Sequence, residues 1–305
     1  MAKPLPKEDF RALRIVLESD DFALSSETPD PPPRDLVTED TWQELVQLPD
    51  DVAIRTSNDY GRILKEVSDF KNELMSVLSA VKKLVGKTGR DVEDSPMCHV
   101  LFVAYEDFQA SIYNALTGYY RVAFSALRDV VENVTVGLHL TLLGDRAQFR
   151  SWLNGGYGAR EYLFGWAADK VSKHKAVHEL ESHLTAVITD DLFHQKVEPD
   201  PGGFARRLFG NLSQYAHGRP GFTHGDIWAS NGPVFVEEYF FKWAICFIQV
   251  YGFCLIACRL AQPGLTSLDS RSKLTLEELF KQAARRLVAD ADGAKLFQHL
   301  PPNFW

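Results

Sequence analysis

The chain is short of cysteine, has no glycine-rich phosphate loop, carries no excess of basic charge and has no uncharged stretch long enough to cross a bilayer. Its 305 residues hold four cysteines (Cys98, Cys246, Cys254 and Cys258), three of them within one apolar stretch. They form neither a disulfide framework nor a CxxC metal pair, and they suit a reduced cytoplasm. Without a phosphate-cradling loop a nucleotide-hydrolysing domain is excluded. With 33 Lys and Arg against 41 Asp and Glu, the net charge is −8. That balance excludes a broad DNA-binding surface, which needs clustered cations to displace counterions, but leaves room for a local basic cleft. The most apolar run, Trp243 to Cys258, is closed off by Lys242 and Arg259. It falls short of the ~18 to 20 residues of a spanning helix, so a buried core helix and no membrane partner are expected. The opening MAKPLPKEDFRALRIVLESDD has no apolar signal core, and a cytoplasmic location is expected.

What is present is the composition of a globular chain, 45% apolar and 24% charged. Residues 7 to 20 pattern as a short amphipathic helix, and Ser25 to Asp35 is a proline-rich linker. A helical turn from Trp42 to Leu48 precedes a long helix over Asp51 to Val85, whose apolar residues recur at helical spacing. Pro96 opens a second helix to Leu116, and Gly118 breaks the chain before a third that ends at Gly144. A short helix over Asp145 to Gly156, a more polar helical region over 158 to 195 and a loop over Val197 to Gly203 follow. Then come a compact helix over Phe204 to His217 and a short hairpin at 226 to 236, centred on Asn231-Gly232. An apolar helix over Glu237 to Leu260 and a capped helix over Thr275 to Asp290 complete the pattern, before a tail ending in Phe304 and Trp305. The expected fold is an all-α helical bundle. Its parts are an N-terminal arm (1–49), a bundle domain (50–262) and a C-terminal helix and tail (263–305).

The third helix carries Arg121, Ser125, Arg128, Glu132, Thr135 and His139 within about 40° of one line, on a rod that is otherwise apolar. Such a stripe must find hydrogen-bond partners, since unpaired buried charge is costly. It is either a structural polar network or a cleft for a phosphate or peptide. On the compact helix, Arg206, Ser213 and His217 lie near one line, with Gly210 in a gap where another helix could approach. Ser213 and His217 can touch, but no nucleophile elbow accompanies them. Farther back, His174, His178 and Glu181 share a face at offsets of 4 and 7, a set that could ligate a metal, while His183 points away.

Two segments carry a family pattern. One is Gly118 followed by Leu127-Arg128 and Glu132; the other is Leu212-Ser213 with His217-Gly218, ahead of an apolar helix. Together they resemble the HEPN-like all-helical bacterial proteins, over about residues 95 to 262. The resemblance implies a dimeric or partner-bound bundle of stress or phage defence. It also implies an activity, metal-independent RNA cleavage without a cofactor. The family signature, an Arg four to six residues ahead of a His, is matched here by Arg219 and His224. Pro220 and Gly221 depart from the helical setting the family uses, and His217 has no Arg at that spacing.

In that chemistry His217 or His224 would exchange a proton with the ribose, and Arg128 or Arg219 would hold the phosphate. Glu132 would complete the catalytic group, with Arg121, Ser125 and Ser213 binding substrate. The alternatives are a non-catalytic protein-interaction module with a structural polar network, and a metal-dependent helical enzyme using His174, His178 and Glu181.

Overall fold

The structure is a computed structural model, and it describes residues 39–89, 91–155, 163–188, 191–193, 203–217, 232–263 and 265. The chain divides into two units, Met1–Gln47 and Leu48–Trp305. Of the first, the described part is a helical turn, Glu39–Trp42, continued by a wider π-helical turn, Gln43–Gln47. The sequence-predicted helices at 7 to 20 and 275 to 290, the linker at 25 to 35 and the aromatic tail lie outside the described residues.

The second unit is an all-α bundle, with eight helices among the described residues. They are α1 (Leu48–Lys87), α2 (Pro96–Leu116), α3 (Tyr120–Leu143), α4 (Arg146–Leu153), α5 (Phe164–Val171), α6 (Lys175–Ile188), α7 (Phe204–Ala216) and α8 (Glu237–Ala261). Local chemistry sets several of these boundaries. Ser95 caps α2, its Oγ accepting from the Cys98 amide at 3.4 Å, and Pro96 opens the first turn, where its missing N–H costs nothing. Gly144, at φ 71°, ends α3 in the left-handed conformation. Asp145 then caps α4, accepting from the amides of Ala147 at 2.9 Å and Gln148 at 3.1 Å.

The centre of the bundle is α3, against which α2, α8, α7 and α5 all pack. α1 lies along α2 and α8. It bends at Tyr60 (φ −133°, ψ 21°), whose ring packs among Phe235, Phe240 and Phe241 and whose hydroxyl donates to Glu237. α8 is buried almost all round, which explains why its sequence is apolar on every side. By length and composition α8 could cross a membrane; 78% of its most apolar stretch is buried within the bundle. One polar link crosses the core: Trp243 Nε1 donates to Ser111 Oγ at 2.9 Å, and that hydroxyl donates to the Ala123 carbonyl at 2.9 Å. It ties α8 to α2 and α3 while satisfying an indole N–H that is wholly buried.

Within 158 to 195, expected as a polar helical region, the described residues form two helices, α5 and α6, between which the chain turns at Ser172 to His174. Two sequence-based expectations need correction. No strand occurs in Gly232–Val236, the described part of the expected hairpin: the Val234 amide donates within the segment to the Gly232 carbonyl at 2.8 Å, and the Val236 carbonyl accepts from Phe240 at the start of α8. The Val236 amide donates to Tyr120 Oη at 3.4 Å, and the backbone of Val234 lies against Gly118. Nor is Gly210 a point of close helix approach, since a Cβ built there meets nothing within 4 Å. The close approach is at Gly137 of α3, where a Cβ would come within 2.5 Å of Val100 on α2.

Candidate functional site

The polar stripe of α3 does not lie on one kind of surface. Arg121 is exposed, Ser125 half-buried, Arg128 and Glu132 retain 25% and 20% side-chain exposure, and Thr135 and His139 are buried. The stripe therefore runs from solvent into the core. Where it emerges it meets α7, which crosses α3 in the antiparallel sense and presents Phe209, Ser213 and Ala216.

Two arginine contacts set the register of that crossing. Near the start of α3, Arg121 Nε donates to the Ala216 carbonyl at 2.9 Å, satisfying one of the free carbonyls at the end of α7. Two turns along, Arg128 Nε donates to Ser213 Oγ at 3.1 Å. The remaining nitrogens of Arg128 face Asp129 and Glu132, each at 3.4 Å, and its guanidinium plane lies 4.9 Å from the Phe209 ring centroid. All three nitrogens are thus engaged and one face of the guanidinium is covered. Phe209 is in turn stacked on Phe164 of α5 at 4.1 Å, and Phe124 of α3 on Tyr215 of α7 at 4.3 Å. Beside this crossing Arg206 of α7 pairs with Asp169 of α5.

The electrostatics below Arg128 are acidic. Burial raises the pKa of Asp129, with Arg128 opposing the rise. Asp107 of α2 is pushed up to about 6, first by burial and then by the charges of Asp129 and Glu106. Its Oδ2 is closed to solvent and has no hydrogen-bond partner among the described residues. A carboxyl group so placed keeps its proton into the mildly acidic range.

These positions redistribute the roles expected from the sequence. Arg128 and Glu132 pair with each other, and Arg128 also engages Asp129 and Ser213. The Ser213 hydroxyl accepts from Arg128, and among the described residues it makes no bond to His217. His217 caps α7, its amide donating to the Ser213 carbonyl at 3.0 Å, and its ring stands in solvent. Arg121 binds the carbonyl of the preceding residue, Ala216. Ser125 lies on the same line between the two arginines, without a side-chain hydrogen bond among the described residues. Arg219 and His224 lie outside the described residues.

The metal-ligand set does not assemble. His174 precedes α6 rather than riding on it, and its Nδ1 accepts from the Ala176 amide at 3.3 Å. Glu181 turns inward to accept from the Phe193 amide. Among the described residues no group of three or more His, Cys, Asp or Glu could hold a metal. The four thiols are buried and free, and burial raises the pKa of each, that of Cys246 to about 12, so none is a thiolate near neutrality.

Sequence reasoning missed Asp107, Asp129 and Phe209. Phe209 was legible in principle, since it stands one turn before Ser213 on the same face of α7. Asp107 shows with Glu106 as one of two acids in the mostly apolar run of α2, but which helix faces it is invisible in one dimension. No family model matches the chain, and no curated protein or solved structure matches it.

Proposed function

We propose that this protein is a HEPN-like helical effector of bacterial stress or phage defence that acts on RNA without a metal, at the junction of α3 and α7. The observation that carries the reading is that two exposed side chains able to carry positive charge, Arg121 of α3 and His217 at the end of α7, stand on the two helices that meet here. Arg121 is hydrogen-bonded to the carbonyl of Ala216, directly before the solvent-facing His217. Arg128 takes the structural role in this reading, pinning α7 on α3 so that the pair is presented.

The chemistry such a pair performs is transesterification. His217 accepts the proton of a ribose 2′-hydroxyl, the 2′-oxygen bonds to phosphorus, and the bond from phosphorus to the 5′-oxygen breaks. The leaving oxygen takes a proton from water, and a 2′,3′-cyclic phosphate remains. Arg121 offsets the charge that grows on the phosphate oxygens.

The test is incubation of the purified protein with total cellular RNA in the presence of a chelator, beside His217→Ala, Arg121→Ala and His224→Ala. Cleavage to cyclic-phosphate ends that survives chelation and falls at least about 100-fold in the first two variants is the expected result. Cleavage unchanged by both substitutions would overturn it.

A second reading, a non-catalytic interaction module, is favoured by the saturation of Arg128 and by Phe102 and Tyr113. Both rings stand on one outer face of α2, 50% and 59% exposed. Absence of any cleavage by the wild-type protein selects this reading.

A further inference from the structure

Among the described residues His139 is the one buried imidazole, at 8% exposure, and it sits where α3 holds α5. Its ring meets Trp166 edge to face, with the centroids 4.8 Å apart, and the Lys170 ammonium lies 5.7 Å from the same indole. The charge that acts on it does not compensate a proton: it is Lys170 of α5, a cation. Other titratable groups on the elements packed against α3 are engaged elsewhere: His99 of α2 lies against Phe149 and Trp152, and Arg206 of α7 is tied to Asp169. Burial, then Lys170, holds the pKa of His139 below its ordinary 6.5.

The contact matters because α5 is only eight residues long and is itself an anchor for α7. Asp169 pairs with Arg206, and Phe164 stacks on Phe209, the ring that carries Arg128 on its other side. Loss of α5 from α3 would therefore remove two of the supports of α7 and withdraw Phe164, Ala168 and Val171 from the edge of the core, while the direct contacts among α1, α2 and α8 remain.

We propose that His139 is a proton-operated latch: uptake of a proton by the buried imidazole releases α5 from α3 and loosens α7, ahead of any unfolding of the rest of the bundle. The driving force is the cost of holding a buried imidazolium with a cation, Lys170, acting on it and, among the described residues, no carboxylate doing so. The inference is independent of RNA cleavage, since its readout is conformational.

The test is amide hydrogen exchange of the full chain between pH 7.5 and 5.0, corrected for the intrinsic pH dependence, for the wild type, His139→Phe and His139→Gln. In the wild type the protection of Phe164–Val171 should fall as pH falls. The ceiling is about thirtyfold at pH 5.0, set by an open-state imidazole of pKa about 6.5. Protection in α7 should fall by a smaller factor and that in α2 should hold. In either variant that folds, protection in α5 should be flat. Constant protection of α5 in the wild type, an equal fall in a folded variant, or loss of α5 and α2 together would each overturn the proposal. If neither variant folds, the order of loss in the wild type decides.

Discussion

A single added methyl group is enough to probe how closely the central helices are packed. Gly137 lets α2 lie against α3, and a Cβ there would stand 2.5 Å from Val100 Cγ2, a stiff β-branched side chain that cannot swing away. Gly137→Ala should cost about 1–3 kcal/mol in denaturant unfolding, and Val100→Ala in the same chain should recover part of that loss. Gly118 combines two constraints, a φ of 83° and a Cβ position 2.6 to 2.9 Å from the backbone of Val234. Backbone atoms cannot give way as a side chain can, so no partner substitution should rescue Gly118→Ala. Arg128 is a third residue whose surroundings are over-determined. Arg128→Met keeps an apolar stem but removes the guanidinium from Phe209, the Ser213 hydroxyl and two carboxylates. A loss of about 1–3 kcal/mol is expected in thermal unfolding.

Between elements, the informative contacts are polar groups closed in by apolar helices. Ser111 relays a hydrogen bond from Trp243 to Ala123, so Ser111→Ala leaves the indole N–H of a wholly buried side chain without an acceptor. Removing one partner of a buried pair exposes the full desolvation cost, about 1–3 kcal/mol, and urea unfolding should show it. Asp107 acts in the opposite direction. Its pKa is raised from 3.8 to about 6 in the folded chain, so between those values the folded protein binds the proton more tightly than the unfolded one. The stability this contributes is fully present below pH 3.8 and is lost as pH rises through about 6. Asp107→Asn should therefore raise the melting temperature at pH 8 and change it little at pH 4. The gain at pH 8 should be of order 1–3 kcal/mol, the equivalent of one to two pKa units. An equal effect at both pH values would show that the site is not desolvated as described. Nothing in the one-dimensional pattern foretold this, because Asp107 is shifted first by burial and then by Asp129, a residue on the next helix.

Over the whole molecule two titrations oppose each other. His139, with its pKa lowered, contributes stability that is complete above pH 6.5 and is lost as pH falls through its folded-state value, whereas Asp107 gains over much of the same descent. The four cysteines report on the bundle as a unit. All are buried, so an aromatic disulfide reagent at pH 8 should modify them only at the rate of opening, and all four at once in concentrated guanidinium. Rapid labelling of any one in the native protein would contradict the packing of α2 and α8.

The sequence by itself determined the helices, because hydrophobic period, caps and breakers are local. Ser95-Pro96, Gly144 and Asp145 mark the ends of α2, α3 and α4 as clearly in the chain as in the structure, and the all-apolar character of α8 already implied burial on every side. The turn at Ser172 to His174 and the use of Gly232–Val236 were not legible, since both depend on which helix receives the segment. The tertiary structure alone decided which residues of the polar stripe meet α7. A line of six polar residues on one helix has no direction toward solvent or core until its neighbours are in place. Once they are, Arg128 is spent on Ser213, Asp129, Glu132 and Phe209, His139 is sealed against Trp166, and Arg121 is held by the Ala216 carbonyl. The physical reason is that hydrogen bonds and burial act over a few ångströms in space, whereas the partners that supply them here stand tens of residues apart along the chain.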